Sequence, residues 1–156
     1  MTINDSNVDK SLQTLQEMYE EKIPFNRIFG LQVESLKPGR VSVKFKMKKE
    51  LIGNYAHGIL HGGVISSVLD AAGGLTAASS VMEKMQNKSV EEIESRITKT
   101  GTIDLRVDYL RPGRGKYFRA TSSIMRTGNK VAVTRMELHN DEDLLIAVGT
   151  GTYIVG

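Results

Sequence analysis

Apolar residues recur along this chain at two spacings, and the changes between them mark out its elements. In residues 8–22, Val8, Leu12, Leu15 and Tyr19 fall on one side of a 3.6-residue repeat, with Asp9, Lys10, Glu17, Glu20 and Glu21 elsewhere. That is the pattern of an amphipathic helix. Pro24 ends it, and residues 24–30 read as a short turn-like helix. We expect a flap or packing arm over residues 1–24, followed by one main domain over 25–156. Residues 31–36 form a first strand, and Pro38-Gly39 make a turn. From 40 to 48 the period is two: Val41, Val43, Phe45 and Met47 inward, Ser42, Lys44, Lys46 and Lys48 outward. This predicts a half-buried strand, whose lysines also discourage unwanted pairing at an edge.

At Val64 the period returns to that of a helix. Val64, Ile65, Val68, Leu69, Ala72 and Leu75 make one stripe of a long element, and the polar stretch 83–100 continues it as a helical extension and solvated connection. Four segments of period two follow: 102–110, with Ile103, Leu105, Val107 and Tyr109 on one face, then 116–126, 130–139 and 144–155. Turn residues separate them, among them Thr127-Gly128-Asn129, a hairpin signal. The expected order is strand, strand, long helix, then a meander of four strands. One long helix against an antiparallel sheet is an α+β architecture.

The long helix is chemically unusual. Gly73 and Gly74 lie inside it, each costing about 1 kcal/mol against alanine. Close approach of other backbone, from a wrapping sheet or a second copy, is the expected compensation. Asp70 sits among Val68, Leu69, Ala71 and Ala72, and a buried carboxylate is unfavourable unless paired, protonated or used. It is either a structural carboxylate or a reactive one. Gly62 and Gly63 open the helix and leave bare N–H groups at its positive end, suited to an oxygen gaining negative charge. Eight residues of helix separate Gly62 from Asp70, about 12 Å at 1.5 Å per residue. One small carbonyl is not held by the first and attacked by the second at ~3 Å each. Two antiparallel copies, with Gly62 of one facing Asp70 of the other, solve that distance.

Composition narrows the field. With 156 residues, 40% hydrophobic and 25% charged, the chain fits one soluble globular domain. It has no cysteine, which removes disulfides, thiolate metal sites and thiol nucleophiles. His57 and His61 stand four apart, but Gly58, Gly62 and Gly63 place them in a loop, and no metal site is expected. Ser66 and Ser67 lack a nucleophile elbow, and no phosphate-cradling Gly-rich loop occurs. Aromatic residues are 6% with no interleaved basic strand, which argues against nucleic acid. A membrane span over residues 59–82 fails on Asp70, at ~2.5–3.5 kcal/mol near mid-bilayer, and on His61. The N-terminus has no signal-peptide pattern, so the cytoplasm is the expected location. Arg106, Arg111, Arg114, Lys116, Arg119, Arg126, Lys130 and Arg135 face a single acid, Asp108, in that stretch. Such a field suits an anionic ligand.

His61-Gly62-Gly63, Asp70 nine positions after His61, and the strand 102–110 running into Arg111-Pro112-Gly113 together resemble the hotdog-fold acyl-CoA thioesterases of the PaaI type. Residues 51–63 are most similar to the YigI-type branch, associated with medium- and long-chain acyl-CoA. The resemblance extends from about Phe25 to the C-terminus. It implies a sheet wrapped round a central helix, a dimer often paired into tetramers with the active site at the dimer interface, an acyl-CoA substrate and no cofactor. By position it makes Asp70 the carboxylate that attacks the thioester or activates water. Gly62 becomes the amide that polarises the carbonyl, and Thr102 a hydroxyl assisting near the carboxylate. His61 is a loop-former or core histidine ahead of a direct catalytic role. Gly63 and His57 belong to the same substrate-facing loop. Tyr109, Arg111, Pro112, Gly113 and Arg114 match one segment that contacts coenzyme A, and Arg126, Thr127, Gly128, Lys130 and Val131 match another.

One position departs from that pattern. Many relatives carry Asn or Gln six residues before the first histidine of the motif, where this chain has Tyr55. Asn54, Tyr55 and His57 are the replacements at hand, with Asn54 favoured. A non-catalytic acyl-CoA-binding module on the same fold is the alternative function. A dehydratase ranks last, because the proline-rich loop of that group is missing.

Overall fold

A computed structural model describes residues 3–85 and 88–156, with the side chains of residues 3–8 and of Glu83 outside the description. The inward placement of Val8 and positions 86–87 of the polar connection therefore lie outside the described residues. Helix α1 (Ile3–Glu17) runs into a wider π-type turn, Met18–Lys22, and Pro24 opens α2 (Pro24–Phe29) at a position that needs no N–H. Leu15 and Tyr19 are buried and Leu12 packs beside them, so the arm's inner face joins the main core.

Six strands form one antiparallel sheet: β1 (Gln32–Lys37), β2 (Arg40–Lys46), β5 (Gly101–Tyr109), β6 (Tyr117–Thr127), β7 (Val131–Asn140) and β8 (Leu145–Ile154). Helix α3 (Gly62–Ser80) packs on one face of it, against β2, β5, β6, β7 and β8. The period-two reading of β2 holds: Val41, Val43 and Phe45 are buried, and Phe45 stacks on Phe118 with centroids 5.3 Å apart. On the opposite face Lys44 lies over the Tyr117 ring, 4.1 Å from its centroid. The whole stripe predicted for the long helix, Val64 to Leu75, is buried.

The strand order is β1-β2-β6-β7-β8-β5, which corrects the expected four-strand meander. Only β6, β7 and β8 run as a meander. β6 pairs with β2, and β5 pairs with β8 at the far edge. The loop after β5 is long enough to cross the sheet, and a turn signal marks a reversal without naming the strand that follows. A register shift between Thr102 and Asp104 also turns Ile103 out to solvent and Thr102 towards α3, as bulges do. A short hairpin, β3 (Ile52–Asn54) with β4 (Ile59–Leu60), is too brief to leave a periodic signal. In the polar connection, α4 (Val90–Ile97) starts at a Ser89/Glu92 capping box and buries Ile93 and Ile97.

Candidate active site

The start of α3 is built by His61. Its backbone is extended (φ −63°, ψ 137°), and its ring Nδ1 accepts the Gly63 N–H at 2.8 Å. The His61 carbonyl accepts the N–H groups of Val64 and Ile65 at 3.0 and 3.3 Å. Three donors of the first turn are thus satisfied. The Gly62 N–H has no acceptor among the described residues. His61 is exposed, so of its expected roles the structure displays the loop-forming one, as a helix cap.

Around this end the predicted residues gather. Tyr109 lies beside Gly62 and donates its hydroxyl to the Gly62 carbonyl at 3.2 Å. Arg114 donates to the His57 carbonyl at 3.0 Å, and Arg111 to the Leu145 carbonyl at 2.9 Å. Gly113 accepts the Leu60 N–H, which fastens the loop holding Pro112 to the β3–β4 hairpin. Asn54 is committed to its own turn: its side chain accepts the Ala56 N–H, and its carbonyl those of His57 and Gly58. Tyr55 projects into solvent, 95% exposed.

Two turns along α3, Asp70 is half-buried rather than enclosed as its apolar neighbours in sequence suggest, because it faces a cavity. Oδ1 accepts hydrogen bonds from Thr102 Oγ1 at 3.0 Å and Tyr153 Oη at 3.1 Å. Oδ2 has no donor among the described residues. The cavity, about 250 Å³, is lined by Tyr19, Ile23, Phe25, Asn26, Ser67, Asp70, Ala71, Gly74, Thr102 and Tyr153 among others. Burial, and then the charge of Asp70, raise the pKa of both Tyr153 and Tyr19 above the ordinary phenol value. Both hydroxyls therefore stay protonated at neutral pH. Neither tyrosine was singled out for the site from sequence. The available signal was Tyr153 on the apolar side of an alternating strand, with a polar tip that needs a partner when buried.

Thr102 and Tyr109 show that β5 runs back along α3, with Thr102 at Asp70 and Tyr109 at Gly62. Arg126, Thr127, Gly128, Lys130 and Val131 are elsewhere. Their turn joins β6 to β7 and meets the other end of α3, where Thr127 bonds Ser80 at 3.2 Å. Within one chain they lie about 27 Å along the helix from Gly62.

The profile of the thioesterase superfamily matches residues 57–147, the span that holds Gly62, Asp70 and Thr102. This chain belongs to the thioesterase superfamily. It is 49% identical over 148 residues to an Escherichia coli (strain K12) protein named medium/long-chain acyl-CoA thioesterase YigI, covering 95% of this chain and 96% of that one. A Salmonella typhimurium protein of the same name is 48% identical over the same shares. A crystal structure from Shewanella oneidensis, described as related to the thioesterase superfamily, superposes with a TM-score of 0.90 at 46% identity, covering 96% of this chain and 97% of that one. The E. coli PaaI protein from the phenylacetic acid degradation operon shares the fold, with a TM-score of 0.75, 20% identity and coverage of 96% and 95%. The architecture is the hotdog fold of this superfamily, as expected from sequence. Among the described residues no helix is long and apolar enough to cross a membrane.

Proposed function

We propose that this thioesterase-superfamily protein hydrolyses medium- and long-chain acyl-CoA thioesters to free acid and coenzyme A, in an active site completed by a second copy of the chain. The observation that carries the reading is the arrangement of an unpaired Gly62 amide and a free Asp70 oxygen at opposite ends of β5. That strand is a sheet edge. Antiparallel pairing of two such edges about a two-fold axis between Leu105 and Arg106 sets Thr102 of one copy opposite Tyr109 of the other. Asp70 then meets the partner's Gly62. The same operation carries the turn with Arg126 and Lys130 to the end of the partner's sheet that holds its Arg111 and Arg114. Two basic segments that lie far apart in one chain thereby share an end, where Arg111 and Arg114 keep part of each guanidinium for phosphate.

In this assembly the amide accepts the charge that grows on the thioester oxygen. Asp70 Oδ2 either removes a proton from water as it adds to the carbonyl carbon or adds to that carbon itself. The C–S bond breaks and the thiolate leaves as coenzyme A, taking up a proton. On the first route the free acid remains; on the second a mixed anhydride with Asp70 remains, which a water molecule splits to the free acid and the restored carboxylate. Ile23, Phe25 and Ala71 line the cavity beside Asp70 with apolar surface, which suits an alkyl chain.

Thiol release measured across acyl-CoAs from short to long, with an aromatic one included, tests this. Turnover is expected with medium and long chains, and Asp70→Asn should lower kcat by at least ~10². Saturable binding without thiol release would instead identify a non-catalytic acyl-CoA-binding module. Near-normal turnover in Asp70→Asn would overturn the role given to that carboxylate. Incorporation of ¹⁸O from labelled water in a single turnover separates the two routes of attack: label in Asp70 requires the carboxylate to have added to the substrate.

A further inference from the structure

Tyr153 is buried in a slot between helix and sheet. It is 1% exposed, and its ring crosses from β8 into α3. A Cβ at Gly73 would lie 2.3 Å from its hydroxyl, and one at Gly151 would lie 2.6 Å from its ring. A Cβ does not make non-bonded contacts that short, so two glycines, one in the helix and one in the strand, are what admit this residue. The slot leads its hydroxyl to one place. Oη is 3.1 Å from Asp70 Oδ1 and 3.2 Å from the Asp70 backbone carbonyl. One phenolic proton cannot satisfy both acceptors at once, and the charged one is the stronger.

We propose that Tyr153 is the positioning residue for the Asp70 carboxylate, the inner of two donors that hold Oδ1 so that Oδ2 alone faces the substrate. The inference rests on the thioesterase reading of Asp70 and goes beyond it, because it assigns the orientation of that group to a buried residue near the C-terminus. Thr102, the outer donor, sits on the edge strand β5, where it is exposed within one chain and is covered only when a second copy pairs with that edge. Tyr153 is shut away from solvent, and its hydroxyl is fixed relative to the helix that carries Asp70. A carboxylate pinned through one oxygen cannot turn over its two oxygens. Its reacting lone pair therefore keeps one direction. Hydrogen bonding to the ionised form also favours ionisation. The groups that face Asp70 are Tyr153 from β8, Thr102 from β5, Tyr19 from the turn after α1, and Ser67 and Asn26 from α3 and α2. Of these only the two tyrosines titrate, and among the described residues no second charge lines the cavity.

The test is Tyr153→Phe, which keeps the ring in its slot and removes the donor. In the acyl-CoA assay, kcat should fall about 10-fold with KM within about two-fold. The acid limb of the kcat/KM–pH profile should move up by about one pH unit, as expected for a carboxylate that loses a donor. Asp70→Asn is measured beside it. If Asp70→Asn is inactive while Tyr153→Phe keeps both its kcat and its acid limb, Tyr153 only fills space and the proposal falls while the thioesterase reading stands. If Asp70→Asn turns over normally, that reading is the one that fails. Should Tyr153→Phe not fold, fluorotyrosine placed at 153 alone keeps the shape and makes a stronger donor. It should move the acid limb to lower pH, and an unmoved limb would overturn the proposal.

Discussion

The dipeptide Gly-Gly occurs twice in α3, and the two copies do opposite work. Gly62-Gly63 lies at the open start of the helix, where a Cβ at Gly62 would meet nothing nearer than the Tyr109 ring at 3.4 Å. Gly62 is there for its backbone, since its N–H stays free; Gly63 gives its N–H to the His61 ring and also leaves that ring room, a Cβ there lying 2.9 Å from Nδ1. Gly73-Gly74 lies in the middle, where Cβ atoms would run into Tyr153 and Tyr19. The second pair is there for the absence of side chains. From sequence, close approach of other backbone is the expected reason for it; the structure replaces that with two tyrosine side chains reaching into the helix. The same residue type thus serves the proposed site twice, by baring the Gly62 amide and by admitting the hydroxyl that bonds Asp70.

The sharpest way to break this comparison is Gly73→Ala. The helix gains propensity worth about 1 kcal/mol, but displacement of Tyr153 and the neighbouring Thr134 should outweigh it, as overpacking costs roughly 1–3 kcal/mol. We expect a net loss of up to about 2 kcal/mol in urea unfolding together with reduced turnover. A stabilised Gly73→Ala protein would show the slot to be loose.

Alkaline stability probes the same slot from the other side. Tyr153 and Tyr19 keep their protons in the folded chain above the pH, about 10, at which tyrosines of the unfolded chain lose theirs. The unfolded state then binds fewer protons, so the stabilisation present below pH 10 is lost as pH rises past it. Tyr153→Phe removes one of these contributions and should flatten the decline of unfolding free energy between pH 10 and 11.5.

At the helix start the effects shrink. Replacing His61 with alanine removes a cap and should cost about 1 kcal/mol, read as a drop in melting temperature of roughly 2–4 °C. Gly62→Ala should be the mildest, within about 0.5 kcal/mol of the parent, since helical backbone at that position accepts alanine. Severe destabilisation there would mean that Gly62 also depends on space, and the contrast between Gly62 and Gly73 would disappear.

Much of this was legible in the order of residues. A period of 3.6 or 2 is a property of neighbours in the chain, so the long helix with its buried stripe, the inward side of β2 and the bare amides at Gly62 could be read directly. The distance from Gly62 to Asp70 could be read too, because helix rise is constant, and it is what motivates the proposal of a site shared between two copies. Tertiary structure decided what depends on elements distant in sequence. It put β5 at the sheet edge, where its turn could not say which strand it would join. It flipped Thr102 inward through a bulge that alternation does not reveal. It turned Asp70 to a cavity partly walled by the N-terminal arm. It also brought a tyrosine 83 residues away onto that carboxylate, through a slot whose glycines look, in the bare sequence, like defects in a helix. Periodicity reports which face of an element is buried; only the packed sheet and helix determine what that face meets.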